Sequence, residues 1–425
     1  MNVVYRTLFA ALAFAALSPA AYAETVTPDK RVKRSVIIRQ EPTTDSAPIG
    51  RLRIGETLEL ASDQSGWYEV KLADGRRGFV SKAWTNSVDQ SFTESLIDAG
   101  GSFKVHIIDV GTGLAVYIEG RDFAMLYDAG SQDDLANGND NRVVSYIKAV
   151  SPNLNTINHL VLSHPHKDHV QLMPDVFDQY VVKNVWDSGA VNLTVGYCNF
   201  LKKVAAEPSV KYHNAINSGQ LHTVECKKGA VSIREAGQMS ASPVILGQNA
   251  TMTILYRDAS KHPDPNENTV VVRLDLGQKR ILLAGDSEGG ERRLPASQPD
   301  ANSIEAKLLD CCKTDLKADA LIVGHHGSLS SSRSSFIDAV GASVFVISSG
   351  PHAYGKNRIV LPDEEIVLGL EARGRVLRTD IDDAECAVSD SKVGPDSDES
   401  PGGCSNVVIT VRGSEMTAEY GVTHD

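Results

Sequence analysis

The sequence is poor in positive charge, in aromatic rings and, beyond its N-terminal end, in long apolar runs. Its 42 Lys and Arg are outnumbered by 54 Asp and Glu, a net charge of −12 over 425 residues. A chain this acidic does not coat nucleic acid through its overall field, which leaves only a local basic cleft for such a partner. Aromatics make up 6% of the residues, too few to favour stacking platforms for single strands. Internal repeats are absent, as are CxxC pairs and Cys/His zinc-finger spacings, so cysteine ligands for a metal are not expected. What is present is ordinary for a globular protein: 42% hydrophobic and 23% charged residues. That composition excludes disordered, collagen-like and coiled-coil classes. The length points to two or three domains.

The one apolar run is Leu8 to Leu17, preceded by Arg6 and followed by Ser18-Pro19 and Ala21-Tyr22-Ala23. A basic start, a short apolar stretch and small residues at a cleavage point read as a secretory signal over residues 1–23. A spanning helix needs ~20 apolar residues, so no membrane span is expected after cleavage, and a secreted or periplasmic location is. Disulfides persist there. Cys386 and Cys404 flank a Ser/Asp/Gly/Pro-rich stretch and are the first expected pair, with Cys198 and Cys226 the second.

Residues 35–80 alternate apolar and polar side chains in short runs bounded by turn residues. Asp74-Gly75 between two such runs is a hairpin signal. A small all-β barrel is predicted. The segments VIIRQEPTTDSAPIGRL and GWYEVKLADGRRGFVSKAW resemble the bacterial Src-homology-3-like domain family over residues 32–86. That resemblance implies binding of peptidoglycan or the positioning of a neighbouring enzyme, with Trp67 and Trp84 lining a groove or packing in the core.

Beyond Phe103 the pattern changes to apolar strands that end in chemically active residues. Ile157 to Ser163 runs into His164-Pro165-His166-Lys167-Asp168-His169. Three imidazoles and a carboxylate at a strand end suit zinc, with manganese or iron as alternatives. One or two divalent ions are expected, and a pair of ions generates a nucleophile at neutral pH. Arg280 to Asp286 is a second apolar strand ending in a carboxylate that can bridge two ions. Ala320 to Val323 is a third, ending in Gly324-His325-His326-Gly327-Ser328. Adjacent side chains of an extended segment point to opposite faces, so one of the two histidines ligates and the other contacts substrate. His325 is the expected ligand.

These motifs resemble the metallo-β-lactamase superfamily, and within it the metallohydrolase domain of ComEC-type competence proteins. The shared pieces are HIIDVGTGLAVYI, FAMLYDAGS, LVLSHPHKDHV, NENTVVVRLDLGQKRILLAGD, ALIVGHHGSLSSS and FVISSGPHAYGKNRI. The resemblance implies a four-layer αββα sandwich over residues 103–425. It implies His164 and His166 on a first metal, Asp168, His169 and His325 on a second, and Asp286 as the bridge. Asp128 would orient the metal loop, and Asp168, His326 and Ser328 would act on substrate. The chain departs from the family where Leu114 replaces the second acid of DVGQGD and where Lys356 replaces the histidine of YGHP. His352 or Lys356 is a candidate substitute. His213 and His222 lie in the interval where the superfamily's third-motif histidine falls, and residues 190–265 read as an insertion over the cleft. The expected activity is that of a phosphodiesterase or nuclease using a metal-bound hydroxide. The alternatives are an amide, lactam or ester hydrolase, and a non-catalytic wall-binding protein on a hydrolase fold. A redox di-iron role is set aside because no flavin partner domain fits.

Overall fold

The computed structural model describes residues 25–88, apart from 30, 54–55 and 73, and residues 101–381, apart from 190–193, 217–220 and 240–241. It also describes 387–389, 392–393 and 406–421. The signal segment and the Cys386–Cys404 pair therefore lie outside the described residues. Among the described residues no helix is long and apolar enough to cross a membrane. The chain divides between Ile97 and Asp98 into two compact units.

The N-terminal unit is a seven-stranded antiparallel sheet. In Ser35–Arg39 only Val36 and Ile38 are fully buried, the alternation expected of a strand with one dry face. They pack with Val26, Leu52, Val70 and Val80. Trp67–Lys71 pairs with Arg77–Ser81 across the predicted hairpin, and Gly75 takes φ 83° in its turn.

The second unit is a sandwich of two mixed sheets with helices on both outer faces. The first sheet has nine strands, with Thr156–Leu162 parallel to both Ala124–Ala129 and Val181–Asp187. The second has seven, with Lys279–Leu283, Ala320–Ile322 and Val344–Ile347 parallel neighbours. The period of two sorts each strand's side chains between layers. Val161, Ile281 and Leu283 enter the core between the sheets together with Val105, Met125 and Leu274. Leu160 and Leu162 face helices Arg142–Val150 and Val195–Ala206 on one outside. Leu282, Leu321 and Phe345 face helices Ile304–Cys311, Ser334–Val340 and Glu364–Glu371 on the other. Both faces of these strands are dry, which is why they read as continuous apolar runs.

Residues 190–265 are mostly not an insertion. Helix Val195–Ala206 buries Tyr197, Phe200 and Leu201 in the outer core. Strands Lys211–Asn214 and Ala236–Gln238 extend the first sheet, and Ala250–Tyr256 belongs to the second. Among the described residues of this segment, only the hairpin Leu221–Arg234 stands as a separate two-stranded sheet. Cys198–Cys226, the second expected pair, ties it to helix Val195–Ala206. Cys311 and Cys312 form a bridge between adjacent residues.

Candidate metal centre

Three strands deliver the chemistry. Thr156–Leu162 ends two residues before His164, Lys279–Leu283 three before Asp286, and Ala320–Ile322 three before His325. His164, Asp168, His169, Asp286 and His326 are all buried. Two groups of donor atoms form: His164, His169 and Asp286, and Asp168, His169 and His326. Asp286 lies between them. Its Oδ2 is 3.6 Å from His164 Nε2, while its Oδ1 is 3.2 Å from His169 Nε2 and 3.8 Å from His326 Nε2.

The surrounding hydrogen bonds fix which ring nitrogen faces inward. His169 Nδ1 donates to Asp128 Oδ2 at 2.7 Å. His326 Nδ1 donates to the Ser348 carbonyl at 2.9 Å. Ser163 Oγ donates to Asp128 Oδ2 at 2.6 Å, so its lone pair receives His164 Nδ1 at 3.1 Å. Each imidazole thereby turns its Nε2 toward one space, the outer-shell arrangement that orients metal ligands. His169 Nε2, His326 Nε2 and Asp286 Oδ1 are buried without a hydrogen-bond partner. Such orphans are costly unless something satisfies them. A divalent cation does so for all three, and the donor set of imidazole and carboxylate suits it.

The charges of the centre are coupled: against burial, Asp286 and Asp128 raise His169 well above its ordinary value. Burial raises the pKa of Asp286, but His169, His326 and His325 overcome it and hold the carboxyl well below its ordinary range. Asp168 is held low in the same way by His326 and His169. Burial lowers His164, reinforced by His169, so its ring stays neutral. Both Asp residues are ready as anions and His164 as a neutral donor.

The backbone around this loop is tightly packed. A Cβ on Gly130 would lie 2.2 Å from the His169 nitrogen. Asp128 itself adopts φ 57°, a left-handed conformation held by Ser163 N donating to its Oδ1 at 2.7 Å.

The remaining expected residues fall into distinct places. His166 is 35% exposed in its side chain and brings Nδ1 to 3.0 Å from His164 Nε2, while its Nε2 lies 3.9 Å from Asp264. Both histidines of the third strand end take left-handed φ, 48° and 51°, so the alternation of an extended segment does not apply to them. The donor atoms of His326 cluster with those of Asp168 and His169, and those of His325 fall outside both groups. His325 stays 24% exposed, its Nδ1 2.9 Å from Glu288 and its Nε2 3.9 Å from Asp286. Ser328 is not open to substrate, because it is buried and its hydroxyl receives Arg292 Nη1 at 2.9 Å. His213 does not approach the centre. It stacks on Trp186 at 3.8 Å because the two are register partners on adjacent strands. His222 is buried against Tyr212 instead. His352 stacks edge-on against Tyr354, and Lys356 sits on an exposed turn. Two residues were missed. Tyr354 donates to Asp168 Oδ2 at 2.6 Å, across 186 positions of sequence, and Glu288 anchors His325. The only sequence signal for Glu288 is its place two residues after the strand-end Asp286.

Comparison with known proteins adds to this geometry. Residues 34–86 match the bacterial SH3 domain model and residues 108–192 the metallo-beta-lactamase superfamily model. Recombination protein 2 of Haemophilus influenzae is 25% identical over 249 residues, 59% of this chain and 24% of that protein. ComE operon protein 3 of Bacillus subtilis is 26% identical over 185 residues, 41% of this chain and 21% of that one. The matched region thus spans under a quarter of either relative. Among solved structures, the metallo-beta-lactamase fold protein YhfI of Bacillus subtilis aligns with TM-score 0.39 and 15% identity, covering 66% of this chain and 97% of that one. The diiron beta-hydroxylase CmlA of Streptomyces venezuelae aligns with TM-score 0.38 and 14% identity, covering 65% and 53%.

Proposed function

We propose that this chain, a metallo-beta-lactamase superfamily hydrolase preceded by a bacterial SH3 domain, is an exported phosphodiesterase. The observation that carries the reading is the set of buried, unpartnered donors around Asp286. His164 and His166 would hold a first divalent ion, Asp168, His169 and His326 a second, with Asp286 between them. Ions held there supply Lewis acidity and a nucleophile at neutral pH. The protein's own part is to keep the donors bare and fixed. Asp128, Ser163 and the Ser348 carbonyl set the tautomers, and Tyr354 holds the Asp168 carboxylate. His325, anchored by Glu288 and facing Asp286 from the open side, is the group we place against a substrate oxygen. A phosphodiester would suit such a site, because its hydrolysis calls for the Lewis acidity and the nucleophile that ions there would supply.

The test is hydrolysis of bis(p-nitrophenyl) phosphate by the full chain with zinc or manganese, beside the β-lactam nitrocefin. Metal-dependent cleavage of the diester, lost in His169→Ala, is the expected result. Cleavage of nitrocefin alone would replace the phosphodiester by a carbonyl substrate. Stoichiometric metal with neither activity would overturn the enzymatic reading.

A further inference from the structure

The acidity of the chain is unevenly spread. Residues 25–88 contain eleven Lys and Arg against eight Asp and Glu, a net of +3 in a chain of net −12. Three of these basic side chains line a groove of about 390 Å³, Arg31, Lys33 and Arg39, together with Trp67 and Trp84, and among the described residues no acidic one lines it. Trp84 is 51% exposed. The Arg31 guanidinium lies 5.7 Å from the centre of that indole, a cation–π contact. Arg31 is held by Asp29, which does not line the groove, at 2.7 Å and by the Ala83 carbonyl at 3.0 Å. Arg39 donates to the Ser46 carbonyl at 2.6 Å. The two arginines are therefore fixed at the groove instead of splaying into solvent.

We propose that this groove binds single-stranded nucleic acid, with bases stacked on Trp67 and Trp84 and phosphates against Lys33, Arg39 and Arg31. A half-exposed indole among cations wants a flat apolar face next to negative charge, and an unpaired nucleotide offers both. A wall peptide carries amines as well as carboxylates, and among the described residues no acid lines the groove to meet an amine. The proposal rests on the phosphodiesterase reading for its purpose, since the groove would hold the polymer whose diesters the metal centre cleaves. The overall charge argued against such a partner, but the acidic excess lies outside this unit.

The experiment is fluorescence anisotropy of a labelled dT15 with cleavage-resistant phosphorothioate linkages and the full metal-loaded chain, a gel confirming that the probe stays intact. Binding in the micromolar range at low salt is expected, with log K falling linearly against log salt. Trp84→Ala and Trp67→Ala should each weaken it about tenfold. Lys33→Glu with Arg39→Glu should weaken it further and flatten the salt slope. An abasic oligonucleotide should bind about as weakly as the Trp84→Ala protein binds dT15. Wild-type affinity for dT15 in both the Trp84→Ala and the double charge-reversal proteins would overturn the proposal. So would capture of a soluble muropeptide, followed by calorimetry, when dT15 does not bind. The two readings fail separately. Diester turnover without dT15 binding removes the groove and keeps the metal centre. Trp84-dependent dT15 binding without diester turnover keeps the groove and removes the phosphodiesterase.

Discussion

Replacing Tyr354 by Phe deletes one hydroxyl and nothing else of the ring that packs beside His352. That hydroxyl donates at 2.6 Å to Asp168 Oδ2, whose nearest other polar neighbour in the group is His326 Nε2 at 3.7 Å. A hydrogen bond to a charged group contributes about 1.5–3 kcal/mol, so the metal-free protein should lose stability on that scale and melt several degrees lower. The metal-loaded protein is affected differently. A carboxylate oxygen has two lone pairs, so the phenol and an ion can share Oδ2, with the phenol fixing the carboxylate rotamer. Loss of such an outer partner typically weakens metal affinity ~10–100-fold. Competition against a chromophoric chelator should therefore show Tyr354→Phe binding one equivalent of zinc 10–100-fold more weakly (about 1.4–2.8 kcal/mol). The other equivalent should bind as in the wild type. Tighter zinc binding in the variant would refute the reasoning, because it would mean that the ion displaces the phenol. Equal binding would refute it too, because the carboxylate would need no such support.

Three further predictions follow from the same geometry. His326→Ala should bind one divalent ion fewer by elemental analysis, whereas His325→Ala should keep the metal and lose turnover; the reverse pattern would restore His325 as the ligand. Gly130→Ala should cost several kcal/mol in urea unfolding, since its Cβ would meet backbone atoms of Asp168 and His169 that cannot move independently of the metal loop. Burial holds both His159 and His213 down at about 4. Their folded pKa is depressed below the ordinary 6.5, so their neutral forms support the fold. That contribution is full above about pH 6.5 and is lost as pH falls through about 4. Urea midpoints of wild type should fall across this window more steeply than those of His159→Gln/His213→Gln, and parallel slopes would count against it.

That His164, Asp168 and His169 come together was readable because one apolar strand carries them at its end, and such an ending has few structural explanations. Asp286 was readable for the same reason. Which of His325 and His326 clusters with Asp168 was not. It follows from two consecutive left-handed residues, and nothing in a Gly-His-His-Gly string announces that turn. His213 and His222 had the right interval but the wrong register, and pairing of Lys211–Asn214 against Val181–Asp187 sends His213 to Trp186. Tyr354 reaches its partner only through tertiary folding. The layers themselves were legible because their strands are dry on both faces. Residues 195–214 and 236–256 were not, because alternating half-buried strands and an amphipathic helix resemble surface structure in sequence.

Asp286 has a consequence for mechanics as well as chemistry. Its strand belongs to one sheet, while His164 and His169 follow a strand of the other. An ion shared by them would act as a clasp across the two halves of the sandwich. Any opening of the hydrophobic seam between the sheets would then pull donors off the ion, and loading the ion would hold the seam closed. Metal content would report on the fit of the two layers, so a substitution deep in that seam, such as Val161→Ala, reaches the catalytic end of the protein without touching a ligand.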